Sequence, residues 1–311
     1  MNTQDRVYVA GHRGMVGSAL VRKLEQSGFS NLLLCTPEEL DLTDQAATIE
    51  FFRAERPEYV FLAAGRVGGI LANSENPASF LRDNLAIALN VIDAAHQVGV
   101  LKLMYFGSSC AYPKHASQPI REEYLLTGAL EPTNAPYALA KIAGISLCEA
   151  YHRQHGDPFF SVMPTNLYGP NDNFDLQTAH VVPALIRKFH EAKLKNESQV
   201  VVWGTGAPRR EFMHVDDLAD AALFLMPRMQ GGELINVGVG QDISITELAE
   251  LLRQVTGYEG EVVWDRSKPD GAPRKLLDNS RLRALGWSPS ISLESGIRAV
   301  SGWFVGRTLL V

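Results

Sequence analysis

Val7-Tyr-Val-Ala-Gly-His-Arg-Gly-Met-Val-Gly17 decides how the rest of the chain is read. Its first four residues favour a short strand, which Gly11 breaks. Over 16–26 the apolar residues Val16, Ala19, Leu20 and Leu24 fall near helical spacing, and Gly28 stops the segment. A strand, a glycine-rich turn and a helix in that order form a dinucleotide cradle. Gly11 permits the tight turn, Gly14 lets backbone amides approach a pyrophosphate, and Gly17 lets helix and strand pack closely. The helix N-terminus, opening at Met15 and Val16, presents partial positive charge to the anion. The spacing is G-x-x-G-x-x-G rather than G-x-G-x-x-G, a different subfamily of the same device.

Working outward, Leu32-Leu-Leu-Cys35, Tyr59-Val-Phe-Leu62 and Leu103-Met-Tyr-Phe106 are apolar without alternation, with helical stretches between them. Such strands are covered on both faces, as in a parallel sheet with helices on each side. The pattern predicts an α/β fold, a doubly wound parallel sheet (Rossmann) over 1–165, to which a later segment returns. A smaller α+β substrate domain is predicted over 166–311. Arg187, Lys188, Arg209, Arg210, Arg274 and Lys275 supply cations there. The longest predicted helices are 77–98 and 137–156, and Trp303 and Phe304 lie in a final one.

The composition limits the partners. With 311 residues and 46% hydrophobic content, the chain can bury a full core. A formal charge of −6 without a basic stripe argues against nucleic acid. Its apolar runs fall far short of the roughly 18 residues that a membrane span needs. The N-terminus, with Asp5 and Arg6, runs directly into a strand and does not read as a signal peptide. Cys35, Cys110 and Cys148 are odd in number, widely spaced and without a C-x-x-C pair, so neither a disulfide framework nor a metal site is expected. The predicted setting is a reducing cytoplasm.

Tyr137-Ala-Leu-Ala-Lys141 places a phenol and an ammonium on one helical face. An unperturbed tyrosine, with a pKa of about 10, is a poor proton shuttle at neutral pH. A nearby cation is expected to lower that value and make the pair a usable acid or base. Gly107-Ser-Ser-Cys110 follows the fourth strand at the carboxyl end of the sheet, where such folds bind ligands. There the Ser108 hydroxyl can hydrogen-bond a substrate carbonyl.

After the second strand, Asp41-Leu42 is similar to the acidic-apolar pair that flanks adenine in these folds. An acid at the end of that strand favours NAD and a cation favours NADP. The strand ends in Cys35-Thr36-Pro37, which supplies neither. Arg13 in the glycine turn is then the candidate for a 2′-phosphate, and the choice leans to NADP.

The Ser, Tyr and Lys constellation, joined to the glycine turn, resembles the extended short-chain dehydrogenase/reductase family over essentially the whole chain. Longer blocks narrow the resemblance to GDP-sugar epimerase-reductases: Ala10-Gly-His-Arg-Gly-Met-Val-Gly17, Gly107-Ser-Ser-Cys110, Pro132-Thr-Asn134, Met163-Pro-Thr-Asn-Leu-Tyr-Gly-Pro170, Arg210-Glu-Phe-Met-His-Val-Asp-Asp217 and Lys268-Pro-Asp-Gly-Ala-Pro-Arg-Lys275. The resemblance implies epimerisation of GDP-4-keto-6-deoxy-D-mannose at C3 and C5, then reduction at C4 by NADPH. It implies Tyr137 as proton donor to the C4 oxygen, Lys141 on the cofactor ribose, and Ser108 on the ketone. Cys110, where related dehydratases carry a glutamate, becomes the epimerisation base. His180, in Gln177-Thr-Ala-His-Val181, becomes the acid on the other face.

Further cofactor contacts are implied for Ala63, Pro164, Asn166, Leu167 and His180. Lys188, Trp203, Arg210 and Asp270 are implied to read the GDP end, where cations suit a diphosphate. Relatives often have arginine in place of Lys188, and commonly another at the end of strand two, so a modest NADPH preference is expected. The two long helices match those that pair across a homodimer in this family.

Three alternatives stand beside this reading. A nucleotide-sugar dehydratase would want acids at Ser109 and Cys110, and has none here. A reductase forming GDP-L-colitose would share nearly every site residue. An NADP-binding redox sensor would typically lose the Tyr137–Lys141 pair, which this chain keeps.

Overall fold

The computed structural model describes residues 1–268 and 270–308. Pro269, within the block Lys268 to Lys275, lies outside the described residues. The first part of the chain alternates strand and helix: β1 (Val7–Ala10), α1 (Met15–Gln26), β2 (Leu32–Leu33), α2 (Gln45–Glu55), β3 (Tyr59–Leu62), α3 (Ile70–Glu75), α4 (Pro77–Val98), β4 (Lys102–Phe106), α5 (Ala135–His155) and β5 (Phe159–Pro164). There follow β6 (Asn166–Tyr168), α6 (Val181–Lys195), β7 (Gln199–Trp203), β8 (Arg209–Arg210), β9 (Phe212–His214), α7 (Val215–Leu225) and β10 (Leu234–Val237). The chain continues through β11 (Ile243–Ser244), α8 (Ile245–Thr256), β12 (Glu261–Asp265), β13 (Arg274–Lys275), α9 (Ser280–Ala284) and α10 (Leu293–Thr308).

Six strands form one parallel sheet in the order β10-β5-β4-β3-β1-β2. The strands β1, β3, β4 and β5 are buried along almost their whole length. The helices α2, α4 and α5 cover one face, and α1 and α7 cover the other. This is the expected α/β class. β10 pairs with β5, and α7 packs beside α1, so residues 215–237 are part of this layer structure although they follow β6 by a long excursion.

One expected strand is shorter than its sequence suggests. The run Leu32 to Cys35 yields only the two half-buried residues of β2, and Leu34 is 36% exposed. β2 is the edge strand, with β1 its only strand neighbour among the described residues, so the apolar run is enclosed on one side alone and pairing stops early.

The rest of the chain builds a smaller α+β unit. Its core gathers Leu185, Ile186 and Phe189 of α6, Leu248 and Leu252 of α8, Ile297 and Val300 of α10, and Val200 and Val202 of β7. Within it β8 lies between β11 and β13, and β7 pairs with β12.

The contact that positions the site is between α5 and β4. A β-carbon on Gly144 would lie 2.3 Å from the Tyr105 ring, so only glycine lets the helix come this close to the strand. One turn earlier on α5, Lys141 then reaches the last carbonyl of β4, donating to Phe106 O at 2.8 Å.

Candidate active site

The glycine turn has the geometry its chemistry requires. Gly11 has φ +85°, and a β-carbon there would lie 2.8 Å from the Ala64 backbone. On Gly17 it would lie 2.1 Å from Gly11 O, so the first turn of α1 can fold against the loop only as glycine. Gly14 is the N-cap and offers no side-chain acceptor, and the first turn holds no acid. The leading N–H groups of α1 are therefore left to an external anion. These cradles fit a dinucleotide pyrophosphate.

Other expected cofactor contacts are distributed around the same carboxyl edge. Ala63 follows β3 directly, with its N–H on Ala10 O (3.1 Å), and Pro164 ends β5. Asn166 and Leu167 form β6, and Asn166 Nδ2 donates to Glu211 O at 2.8 Å. Asp41 accepts from the Thr43 amide and hydroxyl, whereas Leu42 is buried with its carbonyl held by Asn90.

Arg13 is exposed; beyond Pro37, where the sequence shows neither an NAD nor an NADP reader, two acids come near it. Glu38 and Glu39 follow directly. Each carboxyl is held below the usual range first by a backbone amide and the Thr36 hydroxyl, with the Arg13 charge contributing. The one cation expected at this position thus works against two nearby acids.

At the end of β4, Ser108 caps a short 3-10 turn and its hydroxyl accepts from the Cys110 amide at 3.4 Å. The Tyr137 hydroxyl stands close enough to Ser108 to be influenced by it, and its ring meets Phe80 edge-on. Lys141 is 4% exposed, with Nζ 4.9 Å from the Tyr105 ring centre and 5.9 Å from that of Tyr137.

The expected lowering of the tyrosine is not found. Burial pushes Tyr137 well above its ordinary value, the nearby Cys110 adds to the rise, and Ser108 only opposes it. Lys141 donates to a backbone carbonyl instead of the phenol, and its own burial brings it down to about 8. Desolvation outweighs the cation here. The result is a neutral phenol at physiological pH, which is the form of a proton donor.

Around Cys110 the structure adds two groups that were not assigned a role from sequence. Asn134 Nδ2 donates to Cys110 Sγ at 3.3 Å, and Lys275 Nζ lies 3.7 Å from the same sulfur. Both belong to blocks already quoted, but only the fold brings them together. The register β13 on β8 sets Lys275 beside Arg210, whose guanidinium is close enough to feel a charge on Cys110.

Arg210 donates to Arg209 O (2.8 Å) and to Asp270 O (3.5 Å), and burial draws its pKa down. The Asp270 carboxylate takes the Thr205 amide and hydroxyl at 2.7 and 2.8 Å. Trp203 is 49% exposed, with Lys188 and Lys268 each within 6 Å of its ring. Lys188 also donates to Val201 O, and burial lowers its pKa. His180 precedes α6 as its N-cap; among the described residues neither hydrogen bond nor ion pair joins it to the Ser108–Tyr137 group. The residue is exposed overall, yet its imidazole is crowded by surrounding protein, and that desolvation keeps its pKa below the ordinary histidine value.

Glu211, quoted in the block Arg210 to Asp217 but given no role there, is fully buried between the two parts of the chain. Its carboxylate accepts from the Gly240 amide (2.7 Å) and the Leu277 amide (3.0 Å). Burial raises its pKa, and these bonds counter the rise. Its backbone carbonyl holds Thr165 and Asn166, and its amide donates to Lys275 O.

Residues 7–238 match the NAD dependent epimerase/dehydratase family. The chain is 58% identical to GDP-L-fucose synthase 1 of Arabidopsis thaliana, covering 96% of this chain and 93% of that protein. It is 54% identical to GDP-L-fucose synthase of Escherichia coli (strain K12), covering 97% of each. To GDP-L-colitose synthase of Yersinia pseudotuberculosis it is 38% identical, over 97% of this chain and 98% of that one. The crystal structure of a GDP-L-fucose synthetase from Naegleria fowleri bound to NADP superposes with a TM-score of 0.91 at 30% identity, covering 99% and 95% of the two chains.

The Lys141 shift makes a stability prediction. Its folded value is about 8 against 10.5 for the free side chain, so between these the unfolded chain carries the extra proton. Stability of the nucleotide-free protein therefore rises with pH across that window, by up to about 3 kcal/mol from this group. Denaturant titrations from pH 7.5 to 10.5 will show wild type gaining on Lys141→Met as pH rises; a constant difference would refute the burial argument.

Proposed function

The chain belongs to the NAD dependent epimerase/dehydratase family, and on that premise we propose that it converts GDP-4-keto-6-deoxy-D-mannose to GDP-L-fucose by epimerisation at C3 and C5 followed by NADPH-dependent reduction at C4. The observation that carries the reading is the convergence of Ser108, Cys110, Tyr137 and Lys141 at the carboxyl ends of β4 and α5's first turns. A plain reductase needs no thiol there. The colitose reading is less favoured, because identity reaches 58% and 54% with two fucose synthases and 38% with the colitose synthase.

The carbons beside a ketone are acidic because the electron pair left by the proton spreads onto oxygen. Cys110, as thiolate, takes the C–H proton and becomes a thiol, while Ser108 hydrogen-bonds the enolate oxygen. His180 returns a proton to the opposite face, completing inversion. Bound NADPH supplies the hydride for the C4 carbonyl. Tyr137, kept neutral by burial, gives its phenolic proton to the C4 oxygen, and Lys141 holds the cofactor ribose.

Within this reading, residues 1–165 with the returning segment hold NADPH, and residues 166–311 read the GDP end. Arg210 and Lys188 suit the diphosphate, Trp203 offers a flat, half-exposed face for the base, and Asp270 orients beside them. The three free, separated cysteines agree with a cytoplasmic setting, and no helix among the described residues is long and apolar enough to cross a membrane.

The two chemistries are separable. In heavy water without NADPH, wild type is expected to exchange deuterium into C3 and C5 of the 4-keto sugar. Cys110→Ala loses most of that exchange, and His180→Ala impairs completed inversion. Tyr137→Phe keeps exchange but no longer oxidises NADPH, whose binding stays nearly intact. Wild-type exchange by Cys110→Ala would return Cys110 to a packed thiol.

For the cofactor, a bidentate arginine–phosphate contact contributes on the order of 1.5–3 kcal/mol. Glu38 and Glu39 offset part of it, so the NADPH preference is modest and Arg13→Ala lowers the NADPH/NADH ratio of kcat/KM. An unchanged ratio would place the phosphate reader elsewhere.

The reading includes a homodimer paired through α4 and α5, supported by Leu89 and Leu139 on those helices, each about half exposed. Light scattering that finds a monomer at micromolar concentration would remove it.

A further inference from the structure

Cys110 has a charged neighbour that the proposed chemistry has not yet used. Lys275 Nζ lies 3.7 Å from Cys110 Sγ, and Asn134 Nδ2 donates to the same sulfur at 3.3 Å. Both donors come from outside the β4 turn that carries the cysteine. Lys275 arrives on β13, held in register by β8 and by its carbonyl, which accepts from the Glu211 amide. Its side chain is half-buried, as is Cys110. Asn134 stands at the entry to α5, where its Nδ2 donates to the sulfur while its Oδ1 is buried without a hydrogen-bond partner among the described residues.

We propose that Lys275 is the positioning residue for the base: its ammonium pairs with the Cys110 thiolate and, with Asn134, holds that sulfur charged and aimed for proton abstraction. The proposal rests on the reading of Cys110 as the base. A thiol is not a base, and a thiolate in a half-buried cleft needs compensating charge. Arg210 also stands within reach of this sulfur, but the diphosphate end of the substrate requires it in the proposed reading. That leaves Lys275 as the cation whose partner is the cysteine. In the step itself, the C–H bond breaks, its electron pair passes into the enolate, and the proton moves to Sγ. The ammonium of Lys275 keeps its protons throughout; the thiol afterwards releases the acquired proton to solvent.

Two measurements on the intact protein test this. The first is the alkylation rate of Cys110 by iodoacetamide, followed by mass of the Cys110 peptide so that Cys35 and Cys148 do not interfere. The second is deuterium exchange into the 4-keto sugar at saturating concentration. Lys275→Met is expected to slow both by roughly ten-fold or more, since the opposite charge 3.7 Å from the sulfur is then lost. Lys275→Arg, which keeps the charge, restores most of each rate. NADPH binding, read by fluorescence, stays unchanged and reports that the variants are folded. A merely structural lysine would leave the alkylation rate alone, and that result overturns the proposal, as does equal loss in the Met and Arg variants. Cys110→Ala separates the two levels: if it exchanges deuterium normally, the base itself is misassigned. If it loses exchange while Lys275→Met retains both rates, only the role of Lys275 falls.

Discussion

With 2.3 Å between the Tyr105 ring and the place a Gly144 β-carbon would occupy, α5 and β4 are held at a separation that only glycine at position 144 allows. The consequences run in both directions along the helix. One turn toward its N-terminus, Lys141 is pulled down onto the end of β4, and a further turn places Tyr137 against Ser108. At the strand's end the chain turns through Ser108 to Cys110, so one helix–strand contact sets the spacing of four functional groups. This is how a parallel sheet converts backbone packing into a site at its carboxyl edge.

That closeness also decides the electrostatics. A tyrosine and a lysine four residues apart suggest a cation that lowers a phenol. Here both are buried, and burial acts oppositely on them, raising the acid and lowering the base. Lys141 satisfies itself on the Phe106 carbonyl, since an unpaired buried ammonium would be more costly than a distant phenol contact. A tyrosine kept neutral suits a step that ends with a proton on oxygen.

The smaller unit reaches the same edge through Glu211. Its carboxylate, carbonyl and amide tie Leu277, Gly240, Thr165, Asn166 and Lys275 to one buried point between the two parts of the chain. Through it β8 and β13 bring Arg210 and Lys275 toward Cys110, while Asp270 and Trp203 lie farther out along the same unit. A buried carboxylate with this many donors is well compensated, and removing it would orphan amides on several segments at once.

How much of this was legible beforehand follows from what each signal depends on. The glycine turn, the parallel strands and both long helices are local or periodic features, so the residues alone specify them, and Ser108, Tyr137 and Lys141 followed from their places on those elements. β2 fell short because enclosure depends on neighbours, which an apolar run does not reveal. The direction of the Tyr137 shift, the acids beside Arg13, and the meeting of Asn134, Lys275 and Arg210 at Cys110 were beyond local reading. Each depends on burial depth or on contact between segments far apart in the chain. Sequence determined which groups are available and which element carries each; only the tertiary structure decided which charges face one another, because desolvation and Coulomb interactions are set by distance in space and not by distance along the chain.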